Sequence, residues 1–439
     1  MTGDPLDGSP YQGYLYAYPH KTAYRPLSPR PALREVWAGE PRDALFLYLH
    51  VPFCEMRCGF CNLFTRSRPP AEQVGAYLRQ LRHEAAAVAR ALGTEARFVI
   101  GAIGGGTPTY LTADELASLF AVVDDLGAGG VPLSVETSPA TATADRLDLL
   151  AQRGVRRVSI GVQSFVDTEA HAVGRPQRRA EVERALATIR SAGIPELNID
   201  LIYGIPGQTA ATWDASLRAA LAWQPEEFYL YPLYVRPLTG LGRRSARSTV
   251  ERDPAWDEQR MALYRQGRDT LRAAGYRQLS MRHFAVARSD RGVSTTYDCQ
   301  DDGMVGLGCG ARSYTRALHY SFDYAVSVPG VRGVLDDYLS RPAEDFAAAH
   351  VGFVLDDDEQ RRRYLVKSLL RTEGLSRAAW RVRFGDEVPP LHPLVERGWL
   401  VEDGHRLHLT EDGLAHGDAI GPWLVSGAVR AAMGRYEWR

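Results

Sequence analysis

Lysine is almost missing from this sequence: of 52 basic residues only Lys21 and Lys367 are lysines, and the rest are arginine. With abundant alanine and glycine, this is the usage of a GC-rich bacterial genome, which bears on source and not on chemistry. Neither sign of charge is in excess. The 52 basic residues meet 53 acidic ones for a formal net charge of −1, so no global field draws the chain toward nucleic acid or an anionic membrane. No run of eighteen apolar residues occurs and no charged-then-apolar leader opens the chain. Neither a membrane span nor a secretory signal is therefore expected, and the expected location is the cytoplasm. Cysteine is scarce and odd in number. Five do not make a disulfide framework, and a reducing compartment leaves all five available as ligands.

What the chain does have is a concentration of thiols. Cys54, Cys58 and Cys61 fall within eight residues, directly after Tyr48-Leu-His-Val-Pro-Phe53. Thiolates are soft donors that select zinc, copper(I) or iron–sulfur clusters, and a C-x3-C-x2-C loop wraps three corners of a cube. The fourth corner has no local cysteine. A structural zinc site would have to be closed by His50, Cys299 or Cys309, whereas a catalytic cluster uses an open iron to hold substrate. Ligand preference and spacing favour the cluster. Leu45 to Val51 is an apolar, aromatic run with strand character, and Pro52 stops it. The cysteines thus follow a strand's C-terminal end, where barrel-like α/β enzymes keep their chemistry.

From about 43 to 240, short apolar runs alternate with amphipathic helical stretches, the pattern of repeated βα units and a parallel sheet. Six strands are predicted: Leu45 to Val51, Phe98 to Ile103, Leu133 to Glu136, Arg157 to Gly161, Asn198 to Tyr203 and Phe228 to Tyr234. Four regions follow: an aromatic-rich extension over 1–42, an α/β body over 43–245, an irregular part with the glycine-rich Gly306 to Tyr314 over 246–349, and a C-terminal module over 350–439. The extension places five tyrosines between Tyr11 and Tyr24 without helical or strand period. A disordered tail would be poor in aromatics, so this segment is expected to pack on the body, and its rings suit a substrate entrance as well as packing.

Cys54, Cys58 and Cys61 after Tyr-x-His-x-Pro-Phe, with Gly104-Gly-Gly-Thr-Pro-Thr109 one βα unit later, resemble the radical S-adenosylmethionine superfamily. Within it, the resemblance is to the relatives of oxygen-independent coproporphyrinogen III oxidase, over roughly residues 43 to 420. It implies an open, partial six-stranded (βα)6 barrel with a C-terminal winged-helix-like module. It also implies a 4Fe–4S cluster on the three cysteines, whose open iron chelates S-adenosylmethionine, so that reductive cleavage gives a 5'-deoxyadenosyl radical. Carried over position by position, Tyr48 and Phe60 contact the cofactor, Gly105, Gly106 and Thr107 meet its methionine amino group, and Glu136 its ribose or cationic groups. Gln163, Arg175 and Asp200 correspond to contacts for a second S-adenosylmethionine, so one or two molecules are expected. Three successive glycines also remove every side chain that would block close approach to a ligand. The implied partners are a small molecule of tetrapyrrole type and a flavodoxin- or ferredoxin-type electron donor.

The sequence leaves several outcomes open. The leading one is oxidation of a porphyrinogen or another large, partly conjugated substrate; the others are radical methyl transfer from a second S-adenosylmethionine, a haem chaperone without turnover, and a zinc-stabilised protein with a regulatory winged helix. Haem-chaperone relatives carry His-Asn-x-x-Tyr-Trp before the glycine-rich turn. Here the stretch reads Thr296-Tyr-Asp-Cys299-Gln-Asp-Asp-Gly-Met304, without that histidine and tryptophan. Cys299 and Cys309 are most simply buried thiols. Residues 350–439 hold 13 Lys plus Arg against 14 Asp plus Glu, a net of −1, and a DNA-reading module should be basic on one face. No nucleic-acid partner is expected.

Overall fold

The computed structural model describes residues 4–244, 253–286 and 298–438. The boundary at 245, and Thr296 and Tyr297, lie outside them. Six parallel strands stand in sequence order at the centre of one sheet: Leu45–Val51, Phe98–Gly105, Leu133–Thr137, Arg157–Gln163, Glu196–Tyr203 and Glu227–Pro232. These are the six predicted strands, with ends shifted by two residues or fewer. The sixth stops short of Tyr234 at Pro232, which has no N–H to continue a ladder.

Register explains why these sequences make a barrel wall with two different faces. Leu49, Ile103, Val135, Val158 and Leu197 are cross-strand partners and all are fully buried, facing the outer helices. One residue further along each strand, the wall turns polar: His50 pairs Gly104, and Glu136, Ser159, Asn198 and Glu227 pair in turn. Because side chains alternate with a period of two, this row points into the lumen. The next inward row is Gly161, Asp200, Tyr229 and His283.

The barrel is not closed. On the side of the first strand the sheet continues through Met304–Leu307, parallel to it, then Arg312–Tyr314, Leu318–Ser321, Val351–Val354 and Arg25–Pro26. On the side of the sixth it continues through His283–Val286 and Tyr276–Gln278. The irregular middle region is therefore sheet extension at both flanks.

The C-terminal module runs helix Asp357–Leu369, strand Leu375–Ser376, helices Arg377–Phe384 and His392–Glu396, then hairpin Leu400–Glu402 and Arg406–Leu409. Asp356 caps the first helix by accepting from the Glu359 N–H at 2.9 Å. Its core includes Leu369, Trp380, Leu394 and Leu407 together with Leu6, Leu15 and Tyr18 of the N-terminal extension. The two ends of the chain share one core. The extension then crosses the barrel mouth: Tyr11 meets Tyr203 edge-on at 6.2 Å, the Gly13 N–H donates to Asp418 at 3.1 Å, and the Tyr18 hydroxyl donates to Glu359.

Outside the barrel wall, Glu84 of helix Ala71–Leu92 is buried, accepting from the Gly308 N–H at 2.8 Å and the Tyr338 hydroxyl at 2.7 Å. Burial pushes its carboxyl up to about 7. The folded value lies above the unfolded one, so from about pH 4.5 to 7 only the unfolded chain gives up the proton, and stability falls as pH rises through that window. Glu84→Gln keeps an acceptor oxygen without the charge. It is expected to stabilise by about 2 kcal/mol more at pH 8 than at pH 5. Urea unfolding at the two pH values measures this, and an equal effect at both would show that the carboxyl ionises in the fold without penalty.

Candidate active site at the barrel mouth

The cysteine loop is held by backbone on several sides. Phe53–Cys54 pairs with Arg66–Ser67, and the Arg66 N–H donates to Pro52 at 2.6 Å and the Arg68 N–H to Cys54 at 2.9 Å. The N–H groups of Gly106 and Thr107 donate to Val51 and Phe53 at 2.7 and 2.8 Å, tying the loop to the end of the second strand. At its far side the Gly59 N–H donates to Val173 at 3.0 Å and its carbonyl accepts from Leu241 at 2.7 Å.

Each thiol has a polar neighbour. Thr107 Oγ1 lies 3.5 Å from Cys54 Sγ, Arg175 Nη1 donates to Cys58 Sγ at 3.3 Å, and Thr65 Oγ1 lies 3.8 Å from Cys61 Sγ. Burial pushes the Cys54 thiol up to about 12 and raises that of Cys61, so both hold their protons until a metal displaces them. Among the described residues no three His, Cys, Asp or Glu side chains are gathered in a metal-ligand arrangement. The donor set itself, three soft thiols on one anchored loop, is that of an iron–sulfur cluster.

The residues that could have closed a zinc knuckle are committed elsewhere. His50 Nε2 faces the Phe64 carbonyl at 3.0 Å and its Nδ1 the Tyr48 hydroxyl at 3.3 Å. Cys309 is fully buried in the main core, and Cys299 packs beside Met304 and Tyr314.

Around the loop the lumen presents its inward rows. Glu136 Oε2 accepts from the Gly105 N–H at 3.1 Å; its side chain is solvent-exposed at the strand's end, and the crowding of protein around it with the nearby Asp200 charge raises its carboxyl. Asp200 Oδ1 accepts from Asn198 at 2.7 Å, and burial raises it to about 6. Two raised carboxyls on neighbouring inward positions of the wall favour a cationic ligand, which would restore their charge. Gln163 sits where the fourth strand slips register after Gly161, with a left-handed backbone, φ 70°. A bulge with such a backbone re-aims a side chain at a strand's end.

Residues 48–220 match the family model described as Radical SAM superfamily. The chain is 30% identical over 366 residues to the oxygen-independent coproporphyrinogen III oxidase of Paracoccus denitrificans, covering 81% of this chain and 79% of that one. The chain belongs to the radical S-adenosylmethionine superfamily. Within it, similarity extends both to coproporphyrinogen oxidases and to the haem chaperone HemW. The Bacillus subtilis chaperone is 27% identical over 85% of this chain and 97% of its own. Coproporphyrinogen III oxidase HemN of Escherichia coli superposes with a TM-score of 0.78 at 24% identity, over 94% of this chain and 96% of that one, which shows the shared fold.

A radical S-adenosylmethionine chain uses a 4Fe–4S cluster and S-adenosylmethionine, and the anchored thiols with the two lumen carboxyls fit that pair. The sequence expectation for the glycine run needs correction in one respect. A Cβ on Gly104 would meet the Glu136 carboxyl at 2.9 Å, one on Gly105 the His50 ring at 2.4 Å, and one on Gly106 the Phe53 carbonyl at 2.5 Å. The missing side chains make room for protein groups, so the run would offer a ligand only its backbone. Phe60 packs toward Val173, Ile202 and Trp256, and Tyr48 points inward beside His50. Arg175 is held by the Gly161 carbonyl at 2.7 Å and Gln177 at 2.7 Å.

Sequence reasoning missed several lumen residues. Tyr229 and Tyr231 stack with centroids 5.8 Å apart, and Tyr229 stacks on His283 at 4.4 Å. Glu227 accepts from Arg157 Nε at 2.8 Å. Their signal was present in part: Glu227, Tyr229 and Tyr231 alternate along the sixth strand with the buried Phe228 and Leu230.

Proposed function

We propose that this chain is a radical S-adenosylmethionine oxidoreductase of the coproporphyrinogen oxidase type, acting on a porphyrinogen or another large, partly conjugated substrate. The observation that carries the reading is the continuity of the cysteine loop with a lumen whose wall carries raised carboxyls and stacked tyrosines. Bound together, the cluster and S-adenosylmethionine supply one-electron cleavage and hydrogen abstraction. This chain's part is to hold them and exclude competing reactions. Tyr48, Phe60, Thr107, Glu136 and the backbone of Gly105 and Gly106 would hold the cluster-bound cofactor; Gln163, Arg175 and Asp200 would hold a second molecule. Glu136 and Asp200 ionise more readily beside a cationic sulfonium or amino group. A flavodoxin- or ferredoxin-type donor in a reducing cytoplasm completes the reading. Among the described residues no helix is long and apolar enough to cross a membrane.

The stretch comparable to the chaperone motif argues for the oxidase over haem transfer. It has no histidine, and its polar groups are engaged: Asp298 with Lys367 and Arg371, Gln300 with the Tyr18 N–H at 3.0 Å, and Asp301 with Arg363 and Arg383. Anaerobic reduction with coproporphyrinogen III and methyl-labelled S-adenosylmethionine is the test. Carbon dioxide release, vinyl formation and an unlabelled product are expected. Label in the product without decarboxylation would replace the oxidase by a methyltransferase, and tight haem binding with neither substrate consumed would favour the chaperone.

A further inference from the structure

The N-terminal strap brings together cations that no carboxylate neutralises. Lys21 Nζ stands 3.7 Å over the Tyr324 ring. The Arg312 guanidinium lies 5.1 Å from the Tyr16 ring centre and its Nε donates to the Tyr314 hydroxyl at 3.0 Å. Arg236 lies 4.5 Å over Tyr234, with Nη2 donating to the Gln12 carbonyl at 3.4 Å. His20 sits among all three, its imidazole driven well below the usual range by burial and by these charges. Burial and Arg312 likewise depress the Lys21 ammonium. Elsewhere in the interior several guanidiniums do meet carboxylates: Arg282 pairs with Asp418, Arg260 with Asp257 and Arg157 with Glu227. Among the described residues Lys21, Arg236 and Arg312 make no such pair. Like charges gathered without a counter-charge are costly, and an anion that enters repays that cost in binding.

The place of this group says what kind of anion enters. The ring under Lys21 belongs to Tyr324, whose hydroxyl donates to the Asn62 carbonyl at 2.6 Å, so Lys21 borders the cysteine loop. From the cations a row of rings leads across the mouth: Tyr16 to Tyr14 at 5.5 Å, Tyr14 to Tyr231 at 6.4 Å and Tyr231 to Tyr229 at 5.8 Å. Tyr14 and Tyr16 keep 39% and 37% of their surface accessible, although Arg282 stands 3.9 Å over the Tyr14 ring and Arg312 5.1 Å over that of Tyr16, so each ring leaves one side open to a ligand.

We propose that Lys21, Arg236 and Arg312 form a carboxylate-binding pole at the barrel mouth which, with the tyrosine row, selects a large, multi-ring substrate bearing several carboxylates. This deepens the reading of the mouth as the substrate site and rests on it. A carboxylate could also come from S-adenosylmethionine itself, so the test separates the two sources. Cluster-loaded protein is titrated anaerobically with coproporphyrin III and with its neutral tetramethyl ester, followed by fluorescence, and S-adenosylmethionine affinity is measured in parallel. The free acid is expected to bind at least tenfold more tightly than the ester. Lys21→Met and Arg312→Gln should bring the acid to the level of the ester, and Lys21→Arg should retain most of the difference, with S-adenosylmethionine affinity and the reduced-cluster spectrum unchanged in all three. Equal binding of acid and ester, or a matching loss of S-adenosylmethionine affinity, overturns the proposal. Should coproporphyrin not bind while pyrene tetracarboxylate binds with the same dependence on Lys21, the pole stands and the tetrapyrrole assignment falls. Binding of neither overturns the pole, and reductive cleavage of S-adenosylmethionine, scored separately as 5'-deoxyadenosine, then decides the enzymatic reading alone.

Discussion

Replacing Cys54, Cys58 or Cys61 by alanine is expected to abolish iron retention, whereas Cys299→Ala and Cys309→Ala are expected to keep it. Anaerobically reconstituted wild-type protein should be brown and hold about four irons. With a strong reductant it should slowly convert S-adenosylmethionine to 5'-deoxyadenosine and methionine without other substrate. Each triad variant should lose colour, iron and cleavage together, because three thiolates are the minimum that leaves one iron open. Cys309 is fully buried in the main core and Cys299 packs on the cluster around Met304 and Tyr314. Their loss should cost about 1 kcal/mol of stability at most sites of this kind and no iron. Iron and acid-labile sulfide assays read the outcome. Loss of the cluster in Cys299→Ala or Cys309→Ala, with one of the triad dispensable, would reassign the ligands.

The second large effect is expected at Gly106. The spacing alone suggests that valine there would obstruct S-adenosylmethionine and spare the cluster. The tertiary structure changes that expectation. A Cβ at Gly106 points at the Phe53 carbonyl, 2.5 Å away, and at the Val51 carbonyl, 2.9 Å away, on the segment that carries Cys54. The Gly106 N–H also donates to Val51 at 2.7 Å. Valine must push the cysteine loop off the second strand. Overpacking of this kind costs about 1–3 kcal/mol, and the displaced loop should lose most of its iron along with cofactor binding. Iron content, cofactor affinity and thermal unfolding of Gly106→Val measure the three effects. A variant that keeps four irons and loses only S-adenosylmethionine would return the glycine run to the open cradle read from sequence.

These two cases show where local pattern suffices. The six barrel strands were legible because each is a short apolar run between helical stretches, and Pro52 marks the end of the first without reference to anything distant. The loop's chemistry was legible because soft donors at fixed spacing carry their own ligand preference. The glycine run misled in part, since sequence gives the absence of side chains but not what fills their place.

What the sequence by itself determined is the family, the order of the βα units and the three thiols, all of which depend on residues within a few positions of one another. Tertiary structure alone decided the rest. Met304–Leu307 joins the sheet beside Leu45–Val51 through pairing across more than half the chain. Arg312–Tyr314 and Leu318–Ser321 are too short to show a period. The polarity of the lumen depends on register, which sets Asp200 beside Tyr229 and which no single strand encodes. The strap's position follows from Leu15 and Tyr18 completing a core with Trp380 and Leu407. Burial of that remote apolar surface is what carries Lys21 to the mouth of the barrel.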